Sequence, residues 1–122
     1  MEKFDKDITN KIVDNLATYA AIINSEFQRA VDRIEEAESI NEVMVAKKDL
    51  MISITRNIPT QDDTCYFCIC HRNELNGCDI CSYAQAHGRC DKTTDWGKMV
   101  TLKNDLVDLI KTCYWTGCEL NA

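Results

Sequence analysis

Apolar residues return every three or four positions through the first half of the chain, at Ile8, Ile12, Leu16, Tyr19 or Ala20, Ile23, Phe27, Ala30 or Val31, Ile34 and Ala37. Such steps hold one stripe on a helix of 3.6 residues per turn and predict a first amphipathic helix from roughly Asp5 to Glu38. A second helix opens at once. Ser39 followed by Glu42 is a capping box, in which hydroxyl and carboxylate each accept from a backbone N–H that the helix start leaves unpaired. Ile40, Val43, Met44, Leu50, Met51, Ile54 and Ile58 form its stripe, and Pro59 closes it because the residue before proline avoids the helical region. So short a connection predicts an antiparallel hairpin. A third helix is expected from Thr94 or Asp95, with Met99, Leu102, Leu106, Leu109, Ile110 and Cys113 on one face, ending before Gly117. Core packing is the reading given to all three stripes.

Between the second and third helices the chain changes character. Residues 65–90 read CYFCICHRNELNGCDICSYAQAHGRC, six cysteines and two histidines in 26 residues. The stretch has no long strand-like alternation, and DICSYAQAHG predicts a short helix capped by Asp79 and closed by Gly88. The expected fold is all-α: a long antiparallel helical hairpin plus a third helix, with a compact Cys-rich metal-binding module inserted between helices two and three. The 122 residues form one expected domain, with the hairpin at 1–60, the module at 61–93 and the closing helix at 94–117. Helix one outruns the other two, so its overhang needs cover from the module or from a second copy.

Charge narrows the partners. Fourteen Lys and Arg against twenty Asp and Glu leave a net charge of −6, so no global field draws the chain to phosphate backbones or anionic lipid. The start, MEKFDKDITNKIVDN, lacks the order of a secretory signal, and the apolar run LATYAAII is too short to span a bilayer. A cytoplasmic protein without a membrane partner is expected. In that reducing compartment, eight cysteines point to metal ligands rather than to four disulfides.

Cys65 with Cys68 and Cys78 with Cys81 are two C-x2-C pairs. Two intervening residues let a turn present both sulfurs to one ion. Four of Cys65, Cys68, Cys78, Cys81 and Cys90 are the expected metal ligands, Cys90 being the substitute for one of the paired thiols. Cys70 and His87 rank behind them. His87 reads as a helix C-terminal residue beside the negative end of the dipole, and His71 as an exposed loop histidine. A second partition, Cys78, Cys81, His87 and Cys90, comes near the nucleic-acid-binding zinc knuckle but departs from it in spacing. Zinc fits the paired spacing directly. A 4Fe-4S cluster is the alternative, favoured by spare thiols but lacking the C-x2-C-x2-C run of bacterial ferredoxins. Cys113 falls on the apolar face of helix three, and Cys118 follows Gly117.

The order of two C-x2-C pairs, a further Cys, then Trp96 opening a final amphipathic helix resembles small cysteine-rich proteins of phages and prokaryotes. It covers residues 65 to about 110, and the resemblance implies no particular activity.

A structural zinc can supply much of a small domain's folding energy without chemistry of its own. The expected function is therefore that of a protein-interaction or binding module. Its partner would be another protein or a second copy, as a homodimer through the long first helix. Iron-sulfur or thiol redox chemistry is the alternative. An enzyme is disfavoured: no phosphate loop, nucleophile elbow or His-Glu-x-x-His motif occurs, and Glu74 is the only glutamate inside the module. Nucleic acid is disfavoured by charge, although Arg72, Arg89, Lys92 and Lys98 with Tyr66, Phe67 and Tyr83 offer a local stacking and phosphate surface.

Overall fold

The computed structural model describes residues 2–72, 74, 77–88, 90 and 94–113, apart from the side chains of Cys78, Asp79 and Cys113. The described chain is helical and contains no strand. Helix α1 runs Lys6–Glu35 and α2 Ile40–Arg56, followed by a 3-10 turn at Asp62–Thr64. Three short helices follow: α3 at Tyr66–Cys70, α4 at Gly77–Ile80 and α5 at Ser82–His87. Helix α6 runs Asp95–Cys113; its expected end before Gly117, like Cys118, lies outside the described residues.

The helix starts follow from local chemistry. The Asp5 carboxylate accepts from the Asp7 N–H at 2.9 Å, and Thr9 donates its N–H to the Asp5 carbonyl at 3.3 Å. At α2 the Ser39 hydroxyl accepts from the Glu42 N–H at 3.1 Å, as a capping box requires. The Glu42 carboxylate reaches one residue further back than expected, accepting from the Glu38 N–H at 2.7 Å.

The predicted helix over DICSYAQAHG is two helices. Cys81 stands between them in extended backbone, φ −68° and ψ 126°, and caps α5 through its carbonyl, which accepts from the Gln85 N–H at 2.9 Å. The cap is therefore Cys81 and not Asp79. Gly88 closes α5 as expected, at φ 86°, where residues with a Cβ are strained.

The chain divides into two compact units. One joins Met1–Tyr19 with Pro59–Leu102, and the other joins Ala20–Ile58 with Lys103–Ala122. In the first unit, Ile8, Ile69, Cys81 and Thr94 are buried, and the Trp96 indole N–H donates to the Thr60 carbonyl at 3.0 Å. In the second, Ala30, Ala46, Thr55, Val107 and Ile110 are buried, and Arg33 of α1 pairs with Asp49 of α2 at 2.9 Å.

Two predicted core faces are corrected. On α1 the covered stripe is Ile8, Ile12, Asn15, Tyr19, Ile23, Glu26, Ala30 and Arg33, while Leu16, Phe27, Val31 and Ile34 remain 39–47 % exposed. On α6 the covered stripe is Trp96, Val100, Lys103, Val107 and Ile110; Met99, Leu102, Leu106 and Leu109 are 44–68 % exposed. Both helices carry two adjacent apolar stripes.

Candidate functional site

The cysteine segment is held at its start by α1. Asn15 donates its amide to the Asp63 carbonyl at 2.7 Å, and the Tyr19 hydroxyl donates to the Asp63 carboxylate at 2.8 and 2.9 Å. Burial, then this carboxylate, pushes the Tyr19 phenol above its usual range. The 3-10 turn thus fixed delivers Cys65 to the N-cap of α3, and Cys68 follows one helical turn later. Residues three apart share a helix face, which is how the first C-x2-C pair is built.

Burial pushes the Cys68 thiol up to about 12, with further contributions from the Cys65 sulfur beside it, from Cys90 and from Asp62. Cys68, Cys81 and Cys90 also line one recess of about 320 Å3, together with Phe67, His71 and Gly77. The recess lining thus draws one cysteine from each predicted pair, Cys68 and Cys81, and Cys90 from the end of the segment, with Cys65 beside Cys68. Cys65, Cys68, Cys70 and Cys81 carry unbridged thiols. Among the described residues, no three His, Cys, Asp or Glu side chains stand grouped as a ready-made metal cage. The backbone of Cys78 lies in α4, and its side chain is outside the described residues.

Cys70 is placed apart from that recess. Burial raises its thiol, and the acids Glu2, Glu74 and Asp5 raise it further, ahead of Cys81. His87 ends α5 as expected, exposed, with its ring stacked on Tyr83 at 4.6 Å. His71 is not the exposed loop residue of the sequence reading: its side chain is 12 % exposed and both ring nitrogens are engaged, Nε2 with Glu2 at 2.6 Å and Nδ1 with Glu74 at 3.0 Å.

Glu2 is the residue that sequence reasoning missed. Its carboxylate also accepts from the Ser82 N–H at 2.8 Å and from the Ser82 hydroxyl. The Ser82 bonds, then His71, hold it down at about 2, while Glu2 and then Glu74 raise the His71 imidazole. Sixty-nine residues separate Glu2 from His71, and no spacing rule reaches that far. Nearby, the Tyr66 hydroxyl donates to the Lys3 carbonyl at 2.7 Å and accepts from the Asp5 N–H at 2.5 Å. Residues 2–5 are thereby strapped to α3 and α5. The aromatic rings flagged as a possible stacking surface are engaged with neighbours: Phe4 stacks on Tyr66 at 6.5 Å, Tyr66 meets Phe67 edge-on at 6.2 Å, and Phe67 lies 6.1 Å from Tyr83.

This network is not a hydrolytic triad. A nucleophilic serine needs its base within hydrogen-bond reach and the acid behind the base. Here Glu2 stands between Ser82 and His71, and carboxylates occupy both imidazole nitrogens.

No protein-family model matches the chain, and no curated protein or solved structure is significantly similar to it. No helix among the described residues is long and apolar enough to cross a membrane.

Proposed function

We propose that this chain is a metal-stapled helical interaction protein in which Cys65, Cys68, Cys81 and Cys90 hold one structural zinc ion. The supporting observation is the recess that Cys68, Cys81 and Cys90 share, with Cys65 beside Cys68. Four thiolates satisfy tetrahedral zinc and leave no open position, which suits a staple rather than a catalyst. The need for a staple is physical: the buried apolar residues of the first unit are only Ile8, Ile69 and Cys81 among those described. In this reading α1 and α2 form a hairpin that carries the inserted cysteine module.

Native protein assayed for metal content and thiol accessibility tests the proposal. One zinc per chain with four protected thiols is expected, unchanged in Cys70→Ser and lost in Cys81→Ser. About four irons with visible colour would replace zinc by a 4Fe-4S cluster, and metal-free native protein would remove the staple altogether.

The interaction surface in this reading is the outer stripe of α1, with a second copy as partner. Within the second unit, Phe27, Val31 and Ile34 are 39–47 % exposed. So small a patch is well below what each partner of a standard interface buries, so a weak dimer is expected. Light scattering across a concentration series should show reversible dimerisation that Phe27→Gln abolishes. A monomer at every concentration, or a dimer indifferent to that change, rejects this partner.

A further inference from the structure

The second unit contains a cleft that the metal reading does not use. It measures about 590 Å3 and lies among α1, α2 and α6. Four bases line it: Arg29 from α1, Lys48 and Arg56 from α2, and Lys111 from α6. Two acids line it as well, Glu26 and Asp49, and the Asp49 carboxylate is already paired with Arg33 at 2.9 Å. The convergence runs against the sign of the whole molecule, whose net charge is −6. Like charges drawn from three helices into one concavity repel one another, and an anion seated among them removes that repulsion.

We propose that this cleft binds a small phosphate-bearing anion. Three features favour that ligand class. The volume falls within the roughly 300–1,000 Å3 typical of small-ligand sites. The guanidinium group of Arg29 can give two parallel N–H donors to phosphate oxygens, and Lys48 and Lys111 add point charges. Ser53 and Asn57 add neutral polar groups to the rim, and the Asn57 amide is oriented by its bond to the Ser53 carbonyl at 2.8 Å. A nucleic-acid strand is the poorer fit. It needs bases along a track with aromatic platforms, whereas Ile52 is the one apolar residue on this lining. The site is independent of the cysteines, and its test does not depend on metal loading.

Calorimetric titration of the full chain with sodium tripolyphosphate tests the proposal. Saturable one-to-one binding is expected, weakening as salt is added. Arg29 and Lys111 are both exposed, so Arg29→Gln with Lys111→Gln removes two charges without opening a core. That double variant should bind about tenfold to a hundredfold more weakly, each charge-assisted contact being worth about a factor of ten. Lys3→Gln with Lys11→Gln changes net charge equally on α1 and the segment before it and should leave affinity within about twofold. Absence of saturable binding, or equal losses in both double variants, overturns the proposal. So does a single-stranded oligonucleotide that binds far more tightly than tripolyphosphate, because the surface would then be a nucleic-acid track.

Discussion

Replacing Gly77 by alanine puts a methyl group where the chain comes closest to itself. A Cβ built on Gly77 would lie 2.6 Å from the His71 carbonyl oxygen and 3.1 Å from the His71 Cβ. Ordinary carbon-to-oxygen contacts begin at about 3.3 Å, so about 0.7 Å must be found by moving backbone. The obstacle is the peptide following a side chain fixed at both ring nitrogens, not the loose end of a flexible one. Forced overpacking of this kind costs about 1–3 kcal/mol. Against it stands a gain of about 0.4–1 kcal/mol from restricting the unfolded chain. The net loss is about 1–2 kcal/mol, or a fall in Tm of several degrees for a chain of this size. Thermal and urea unfolding of Gly77→Ala measure it directly. A variant as stable as the parent, or more so, would refute the close approach of α4 to His71 from which the figure is worked.

Three further outcomes are expected. Glu2, held at about 2 against an ordinary 4.5, contributes stability above pH 4.5 that is lost as pH falls toward 2, whereas His71, raised above 6.5, contributes below pH 6.5 and loses it as pH rises through its raised value. The Tm advantage of the parent over Glu2→Gln should therefore peak between about pH 4.5 and 6.5, and a gap constant with pH would contradict this. Ile110→Ala should cost about 2–4 kcal/mol while Leu102→Gln stays within about 0.5 kcal/mol, since Ile110 is 4 % exposed and Leu102 68 %; equal losses in chemical unfolding would restore the face predicted from sequence. Ser39→Ala should cost about 1 kcal/mol by removing the bond to the Glu42 N–H, read from the same unfolding curves.

What could be read from the sequence is what lies close along the chain. The Ser39 and Glu42 pair announced α2 because a capping box is complete within four residues. Trp96 and Asp95 marked the start of α6, and Gly88 marked the end of α5, because each acts on its own turn. Where two elements had to choose a common surface, periodicity was silent. On α6 spacing put Met99, Leu102, Leu106, Leu109 and Ile110 on one face, yet of these Ile110 alone is buried, together with Val107, which spacing did not name. The break at Cys81 was equally hidden, since Ser82, Tyr83 and Ala84 are compatible with a helix that starts earlier. Among the candidate ligands, spacing named five cysteines, and what spacing could not give is that Cys68, Cys81 and Cys90 line the same recess. Glu2 carried no local signal, for a carboxylate near a chain start looks the same whether or not it meets a histidine.

The way the chain is apportioned between its two units has a practical meaning for dissecting it. Neither unit is a continuous stretch of sequence: each is assembled from two distant segments, and two of the three boundaries fall inside helices, in α1 after Tyr19 and in α6 after Leu102. A truncation at either boundary cuts a helix and removes part of both units. A protease that acts on exposed linkers finds none at those two boundaries, where the backbone is helical; the third, between Ile58 and Pro59 after the end of α2, is exposed and is where cleavage is expected. Isolating the cysteine-bearing unit would call for a rearranged gene that joins residue 19 to residue 59, and not for a shorter one.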